Sequence, residues 1–272
     1  MGDTNEAVEQ HYSGERLAER IIEAARAAGI EPLTATAIAP ADEFHTGGLR
    51  STRELAELAD FRPGISVLDI GSGLGGPSRV LAAEFGCRVT ALDLTPEFVR
   101  SGRLLSAKCG LEARVTHVQG DALDLPFPDA HFDAAWTQHV VMNIRDRASL
   151  YRETARVLKP GGTFAFFDIL KGTAAELDYP LPWADDASIS FLYTADETRA
   201  FLNEAGFEEV AWVDATEQYL PMLSVQTTGQ AASELSLRIV LGDGLGPKLA
   251  NTVGAVRDGR LIFVRALFRK PA

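Results

Sequence analysis

The sequence predicts an α/β fold in which a mostly parallel sheet is covered by helices on both faces. Three observations carry that expectation. From Ile65 onward, short apolar runs alternate with helix-patterned segments, and strands joined by helical crossovers run parallel. One run, Val67-Leu68-Asp69-Ile70, passes directly into Gly71-Ser72-Gly73-Leu74-Gly75-Gly76 and then into a helix. Another, Arg88-Val89-Thr90-Ala91-Leu92-Asp93, ends on an acid. Ligands of such folds settle outside the carboxyl ends of the strands, near the switch in strand order.

Each element follows from local pattern. Residues 1–60 read as helical and irregular, an N-terminal segment ahead of a main domain spanning 61–272. Leu17, Ile21, Ile22 and Ala25 have helical spacing, and Gly29 ends that helix. Pro32 and Pro40 are expected to break the chain before Asp42-Glu43-Phe44-His45-Thr46-Gly47-Gly48, after which Leu55 and Leu58 mark a second helix. Ile65 to Ile70 is a buried strand, followed by a helix around Val80, Leu81 and Phe85 that Gly86 closes. After the strand Arg88 to Asp93, Thr95-Pro96 reads as a capping residue with proline at the first helical position. Further strands fit Arg114 to Gln119, Phe132 to Trp136 and Thr163 to Ile169. Thr194-Ala195-Asp196-Glu197 is a capping box whose helix stops at Gly206. Phe207 to Val213 and Leu261 to Phe268 are the last strands. Lys171 to Tyr193, rich in proline and aromatics, and Thr216 to Gly259, helical in pattern, fall outside the alternation. With the N-terminal segment, these insertions near 171–193 and 216–259 are expected to form a lid over the ligand edge.

Composition narrows the function classes. The chain has 272 residues, 26 Lys+Arg against 38 Asp+Glu, and a formal net charge of −12. That balance disfavours nucleic acid or an anionic membrane as partner, because phosphate binding draws on excess Lys and Arg. No apolar stretch approaches the roughly 20 residues that span a bilayer. The start, MGDTNEAVEQ, is polar and reads as carrying no secretory signal. Cys87 and Cys109 show no metal-binding spacing and are expected to be reduced thiols, which places the protein in the cytoplasm.

The chemistry-bearing residues cluster at the strand ends. The glycines permit positive φ and close backbone approach to a ligand, and the following helix start offers free N–H donors. Asp69, just before the bend, is a poor neighbour for a pyrophosphate but suits a cationic ligand; its alternative role is to hold the loop. Asp93 can accept both ribose hydroxyls of an adenosine, a feature that NAD and S-adenosylmethionine proteins share. Asp121, in Gly120-Asp121-Ala122, can accept from an adenine amino group or can serve as a turn residue.

VLDIGSGLGG, the acidic end of the second strand, GDALDLPFPDAHFDAAW and Arg156-Val157-Leu158-Lys159-Pro160-Gly161-Gly162 resemble, in order, the motifs of class I S-adenosylmethionine-dependent methyltransferases. The resemblance implies a Rossmann-like seven-stranded methyltransferase sheet with its last strand antiparallel. It also implies S-adenosyl-L-methionine as donor, with S-adenosyl-L-homocysteine as product. On that basis Asp69, Gly71, Gly73 and Gly75 surround the methionine end, Asp93 and Leu94 the ribose, and Asp121 and Ala122 the adenine. Gln138 then sits near the methionine amine; Tyr12 is a further candidate contact of the donor. Phe44 to Gly48, Ser188 to Tyr193 and Gly259 to Lys270 resemble sarcosine/dimethylglycine N-methyltransferases, which implies transfer to the nitrogen of a small-molecule amine. The alternatives are O- or C-methyl transfer and, in a different class, an NAD(P)-dependent oxidoreductase. Asp69 and the lack of any Tyr-x-x-x-Lys pair weigh against the latter.

Methyl transfer is an in-line displacement that needs alignment and exclusion of water. His139, after the fourth strand, is the candidate base; packing under the lid or orienting Gln138 is the other reading. His45 is the second catalytic and substrate candidate. Tyr12, Trp136, Trp183 and Tyr193 are candidates for an aromatic wall favouring a cation, with Trp183, Tyr193 and Asn143 as substrate contacts. Arg50 and Arg145 are candidate carboxylate clamps. His11, His117 and His131 read as surface or strand-edge residues. Asp185-Asp186 reads as a solvated acidic turn, and no metal is expected. The expected partner is a small-molecule acceptor, not nucleic acid or membrane, with the protein a monomer or homodimer.

Overall fold

Seven strands form one sheet: β1 (Ser66–Ile70), β2 (Arg88–Asp93), β3 (Val115–Gln119), β4 (Phe132–Gln138), β5 (Leu158–Lys171), β6 (Glu208–Asp214) and β7 (Leu261–Arg269). They lie in the order β3-β2-β1-β4-β5-β7-β6. The computed structural model describes residues 2–12, 14–172, 175–227, 235–242 and 244–272. β1 to β5 pair in parallel, and β7 runs antiparallel between β5 and β6. The strand order turns back between β1 and β4, so a crevice opens at the carboxyl ends of those two strands.

The helices are α1 (Gly2–His11), α2 (Leu17–Ala27), α3 (Ala35–Asp42), α4 (Gly48–Leu58), α5 (Gly76–Glu84), α6 (Pro96–Lys108), α7 (Arg147–Val157), α8 (Ala195–Glu204), α9 (Thr216–Thr227), α10 (Arg238–Leu241) and α11 (Leu245–Arg257). Leu55, Leu81, Tyr219 and Val253 pack α4, α5, α9 and α11 on one face of the sheet. Leu150, Tyr151 and Leu202 pack α7 and α8 on the other. With both faces covered, β1 buries Val67 to Ile70 without alternation, as a parallel central strand must.

Local patterns place most elements, and their failures have local causes. The box at Thr194 forms, with Thr194 and Glu197 capping each other's backbone. Thr95 instead makes no side-chain cap; its N–H donates to Asp93 Oδ1 at 2.9 Å. Pro40 does not break the chain but lies inside α3. The ring removes a single bond, the one position 40 would make to Thr36 O, and the helix ends two residues beyond it. Gln138 is the last residue of β4 rather than the one after it. β5 starts early, at Leu158, because Phe132 pairs with Leu158 before a register shift across Pro160-Gly161-Gly162. Cys87 and Cys109 are free. Of the two insertions, residues 173–174, 228–234 and 243 lie outside the described residues. Among the described residues no helix is long and apolar enough to cross a membrane.

Candidate active site

The crevice holds a cavity of about 350 Å³, within the range of small-molecule sites. Its floor is the bend after β1. Gly71 and Ser72 N–H both donate to Leu92 O, at 2.8 and 2.9 Å, which ties the bend to β2. Gly71 takes φ +71°, and a Cβ there would lie 2.5 Å from Val140 Cγ1. Gly71 and Gly73 line the cavity, whereas Gly75 does not. A Cβ on Gly75 would meet the His117 ring at 2.5 Å, so this glycine makes room for a side chain rather than a ligand. His117 accordingly lies on the edge strand β3 as expected, but not at the surface. It is buried, its Nε2 pairs with Ser106 Oγ at 2.9 Å, and burial lowers its pKa to about 3, helped by Arg79 and Arg103.

Three acids at the ends of neighbouring strands reach this floor. Asp69, 2 % exposed, accepts the Ser78 hydroxyl at 2.6 Å, and burial pushes its pKa up to about 7. Asp93 accepts Gly73 N–H at 2.8 Å and Thr95 N–H at 2.9 Å. Burial raises it to about 6 despite those bonds. Asp121 accepts Leu123 N–H at 2.9 Å and the Asn5 amide at 3.0 Å, so its turn role and its place in the cavity coexist. Leu94 and Ala122 line the same wall.

Past the bend lies a buried polar group built from β4 and the segment before α4. Gln138 Oε1 accepts from Trp136 Nε1 at 3.2 Å and lies 3.1 Å from Thr52 Oγ1. Its Nε2 is buried with no partner among the described residues. His45 pairs with Glu43 Oε2 at 2.6 Å through Nε2 and with Ser51 Oγ at 2.9 Å through Nδ1. His139 takes φ +51° and packs against the Phe167 and Phe263 rings, which also touch each other. Its Nδ1 accepts Thr46 N–H at 3.3 Å, which assigns the ring hydrogen of the neutral form to Nε2. Burial, with His45 adding to it, holds the ring well below the usual histidine range. A neutral imidazole with its acceptor nitrogen engaged offers a donor, Nε2–H, and that atom is also buried without a partner among the described residues.

The roof comes from distant segments. Asn5, Val8 and Tyr12 bring α1 and the residue just beyond it over the cavity. Tyr12 donates to Asn143 Oδ1 at 3.2 Å, and Asn143 Nδ2 donates to Trp183 O and Ile189 O, both at 2.9 Å. Burial raises the Tyr12 hydroxyl pKa, with Asp93 and Asp185 adding to it. Trp183 lines the cavity; Trp136 and Tyr193 do not. Trp136 is core, packed on Phe61, and Tyr193 packs on Phe201 with its hydroxyl on Arg145 O. Arg50 lies outside, paired with Glu54 at 2.7 Å, while Arg145 reaches the rim with its guanidinium over Phe191. His11 is half-buried and bonds Asp185 and Pro182 O, and Asp185 also pairs with Lys248 at 2.9 Å. His131 is exposed and stacks on Phe127.

Sequence reasoning missed Asn5, Glu43, Thr52 and Asp168. Asp168, fully buried in β5, accepts Val140 N–H at 2.8 Å and the Thr137 hydroxyl at 3.2 Å, which fixes the turn that carries His139. A lone acid inside Phe166-Phe167-Asp168-Ile169 was the available signal. Asn5 had none, since its partner is 116 residues away.

A family model described as a methyltransferase domain matches residues 68–166. The chain is 31% identical to the glycine/sarcosine/dimethylglycine N-methyltransferase of Actinopolyspora halophila over 67% of its own length and 32% of that relative's. It thus spans about a third of that protein. To the dimethylglycine N-methyltransferase of Parasynechococcus marenigrum (strain WH8102) it is 30% identical, over 85% of each chain. The solved geranyl diphosphate C-methyltransferase of Streptomyces coelicolor A3(2), bound to S-adenosyl-L-homocysteine, shares the fold: TM-score 0.67 and 20% identity, covering 81% of this chain and 77% of that one. The cavity suits the donor of such enzymes, because its carboxylates match hydroxyls, an amine and a cationic sulfur, while the unpartnered Gln138 amide matches a carboxylate. The chain belongs to the class I S-adenosylmethionine-dependent methyltransferases.

Proposed function

We propose that the protein transfers a methyl group from S-adenosyl-L-methionine to the nitrogen of a small-molecule amine. The observation that carries this reading is the convergence of Asp69, Asp93 and Asp121 on one cavity around a bare glycine bend. Two relatives bearing N-methyltransferase names support the amine. When bound, the donor supplies an electrophilic methyl on a positively charged sulfur. Asp93 keeps lone pairs beyond its two backbone bonds for the ribose hydroxyls, beside Leu94. Asp121 accepts the adenine amino group against Ala122. Asp69, Gly71, Gly73 and Gln138 hold the methionine end, and Tyr12 covers the nucleoside.

An amine acceptor that arrives neutral needs no strong base before attack. His139 therefore positions the acceptor by contact of its neutral ring, neither taking its proton nor bonding the attacking lone pair, and His45, braced by Glu43 and Ser51, shapes the adjoining wall. Asn143 and Trp183 close the acceptor side. In this reading residues 1–60 and the segments near 171–193 and 216–259 are a lid on the 61–272 domain, excluding water during transfer. The protein then works in the cytoplasm as a monomer or homodimer, without nucleic acid or membrane. Its net charge of −12 supports the last point.

Calorimetry with S-adenosylmethionine and NAD, followed by a mass-spectrometric screen over amines, phenols, sterol-like and quinone-like acceptors, tests the proposal. Heat with the former alone and N-methylated products are expected. Binding of NAD alone, or products methylated only on oxygen or carbon, would overturn it.

A further inference from the structure

The lining of the cavity narrows the acceptor. On the lid side the walls are aliphatic: Leu237 and Leu241 at α10, Leu245 and Leu249 on α11, Leu223 on α9, and Ile169 at the end of β5. Inside the rim, the unpaired charge of the whole cavity has one sign. Asp69, Asp93, Asp121 and Asp146 are all carboxylates. Asp42 is spent on Arg79, and the His45–Glu43 pair brings no net positive charge. His139 is uncharged because it is buried. Among the described lining residues only Arg145 carries an uncompensated positive charge, and it sits exposed at the rim over Phe191. None of the residues outside the described set is Lys, Arg or His. A buried carboxylate or phosphate needs a cation or several donors to offset its lost hydration; the described lining offers the acceptor no inner cation, and of its two buried unpartnered donors, Gln138 Nε2 and His139 Nε2–H, the first is given to S-adenosylmethionine.

We infer that the acceptor presents its methyl-accepting atom on an uncharged apolar body and carries neither carboxylate nor phosphate. The inference rests on the transfer reading above, in that donor and acceptor share this cavity. The apolar body lies against Leu241, Leu245 and Leu249, and the reacting atom points past His139 toward the floor. Such an acceptor differs in kind from glycine, sarcosine and dimethylglycine, each of which bears a carboxylate.

The test uses the full chain with S-adenosylmethionine and three acceptor sets: secondary amines on aryl or long-alkyl bodies, the anionic amines sarcosine, dimethylglycine and phosphoethanolamine, and apolar phenols. Products are read by mass spectrometry. The apolar amines are expected to exceed the anionic ones about tenfold or more in kcat/KM, the effect of burying one leucine-sized contact. Leu241→Arg and Leu249→Arg, at half-buried positions, should raise KM for apolar amines by a similar factor and leave donor affinity unchanged by calorimetry. Preference for the anionic amines overturns this inference and leaves nitrogen transfer standing. Turnover of apolar phenols alone supports the apolar body and overturns the amine. If nothing turns over, N-methyldodecylamine is titrated into protein loaded with S-adenosylhomocysteine. Binding that Leu249→Arg abolishes supports the inference; no binding, or binding that the variant leaves intact, overturns it.

Discussion

Asp93 joins two jobs in one carboxylate. It holds the bend by accepting Gly73 N–H and the start of α6 by accepting Thr95 N–H, and its remaining lone pairs face the cavity. Hydrogen bonds to a charged group contribute about 1.5–3 kcal/mol each. Asp93→Ala is therefore expected to weaken donor affinity by more than about tenfold while kcat at saturation falls less; an unchanged Kd removes Asp93 from the site. His139→Asn keeps the left-handed backbone, which Asn tolerates, and removes the ring. It should lower kcat with donor Kd nearly intact. In the native enzyme no inflection near the ordinary histidine range should belong to this residue, because its ring is already neutral there. A kcat inflection near pH 6.5 that the variant abolishes would restore His139 as a base. At this scale the acids were legible because each one ends a strand at a bend. His117 was not, since its burial depends on Gly75 and Gly102 both leaving space at ring atom Cε1, where a Cβ on either would come to 2.5 Å, and no local pattern encodes that.

Between elements, the decisive contact joins the bend after β1 to the turn after β4. Val140 sits against Gly71, and its N–H is held by Asp168. Gly71→Ala meets two separate obstacles: a positive φ, costing about 1–2 kcal/mol, and overpacking against Val140, costing about 1–3 kcal/mol. Urea denaturation should show the sum, together with loss of donor binding. Adding Val140→Ala should return only the packing part, so the double-mutant cycle reports coupling; additive losses would mean that the two turns do not press on each other. Strand positions were readable for an allied reason. A parallel strand buried on both faces is a short apolar run ended by glycine or acid, and β2 falls on Arg88 to Asp93 as expected. The start of β5 was obscured by Pro160-Gly161-Gly162, whose register shift only the pairing with β4 discloses. The roof was visible only as departures from the alternation, because which face of α1 meets the cavity is decided by partners such as Asp121, 116 positions from Asn5.

Taken as one molecule, the protein keeps acids where water is scarce, and this should appear in its response to pH. Burial raises Asp69 to about 7 and both Asp93 and Asp168 to about 6, above the value near 3.9 of an unfolded aspartate. Between those limits the native state holds more protons than the unfolded chain, so stability falls as pH rises. The ligand-free protein should accordingly lose stability from about pH 4 to about pH 7 through these groups. A cationic donor favours the ionised forms of the acids that face it. Affinity for S-adenosylmethionine should therefore rise with pH up to about 7 and then level, by at most about tenfold per unit for each proton released. Calorimetry in buffers of different ionisation enthalpy counts those protons. S-adenosylhomocysteine lacks the charge on sulfur and should release fewer. Asp168 provides the internal control: it braces the β4 turn and does not line the cavity. Asp168→Asn should flatten part of the stability slope and leave the affinity slope unchanged, whereas donor affinity that is level from pH 5.5 to 8 would mean that Asp69 and Asp93 do not change charge when the donor binds.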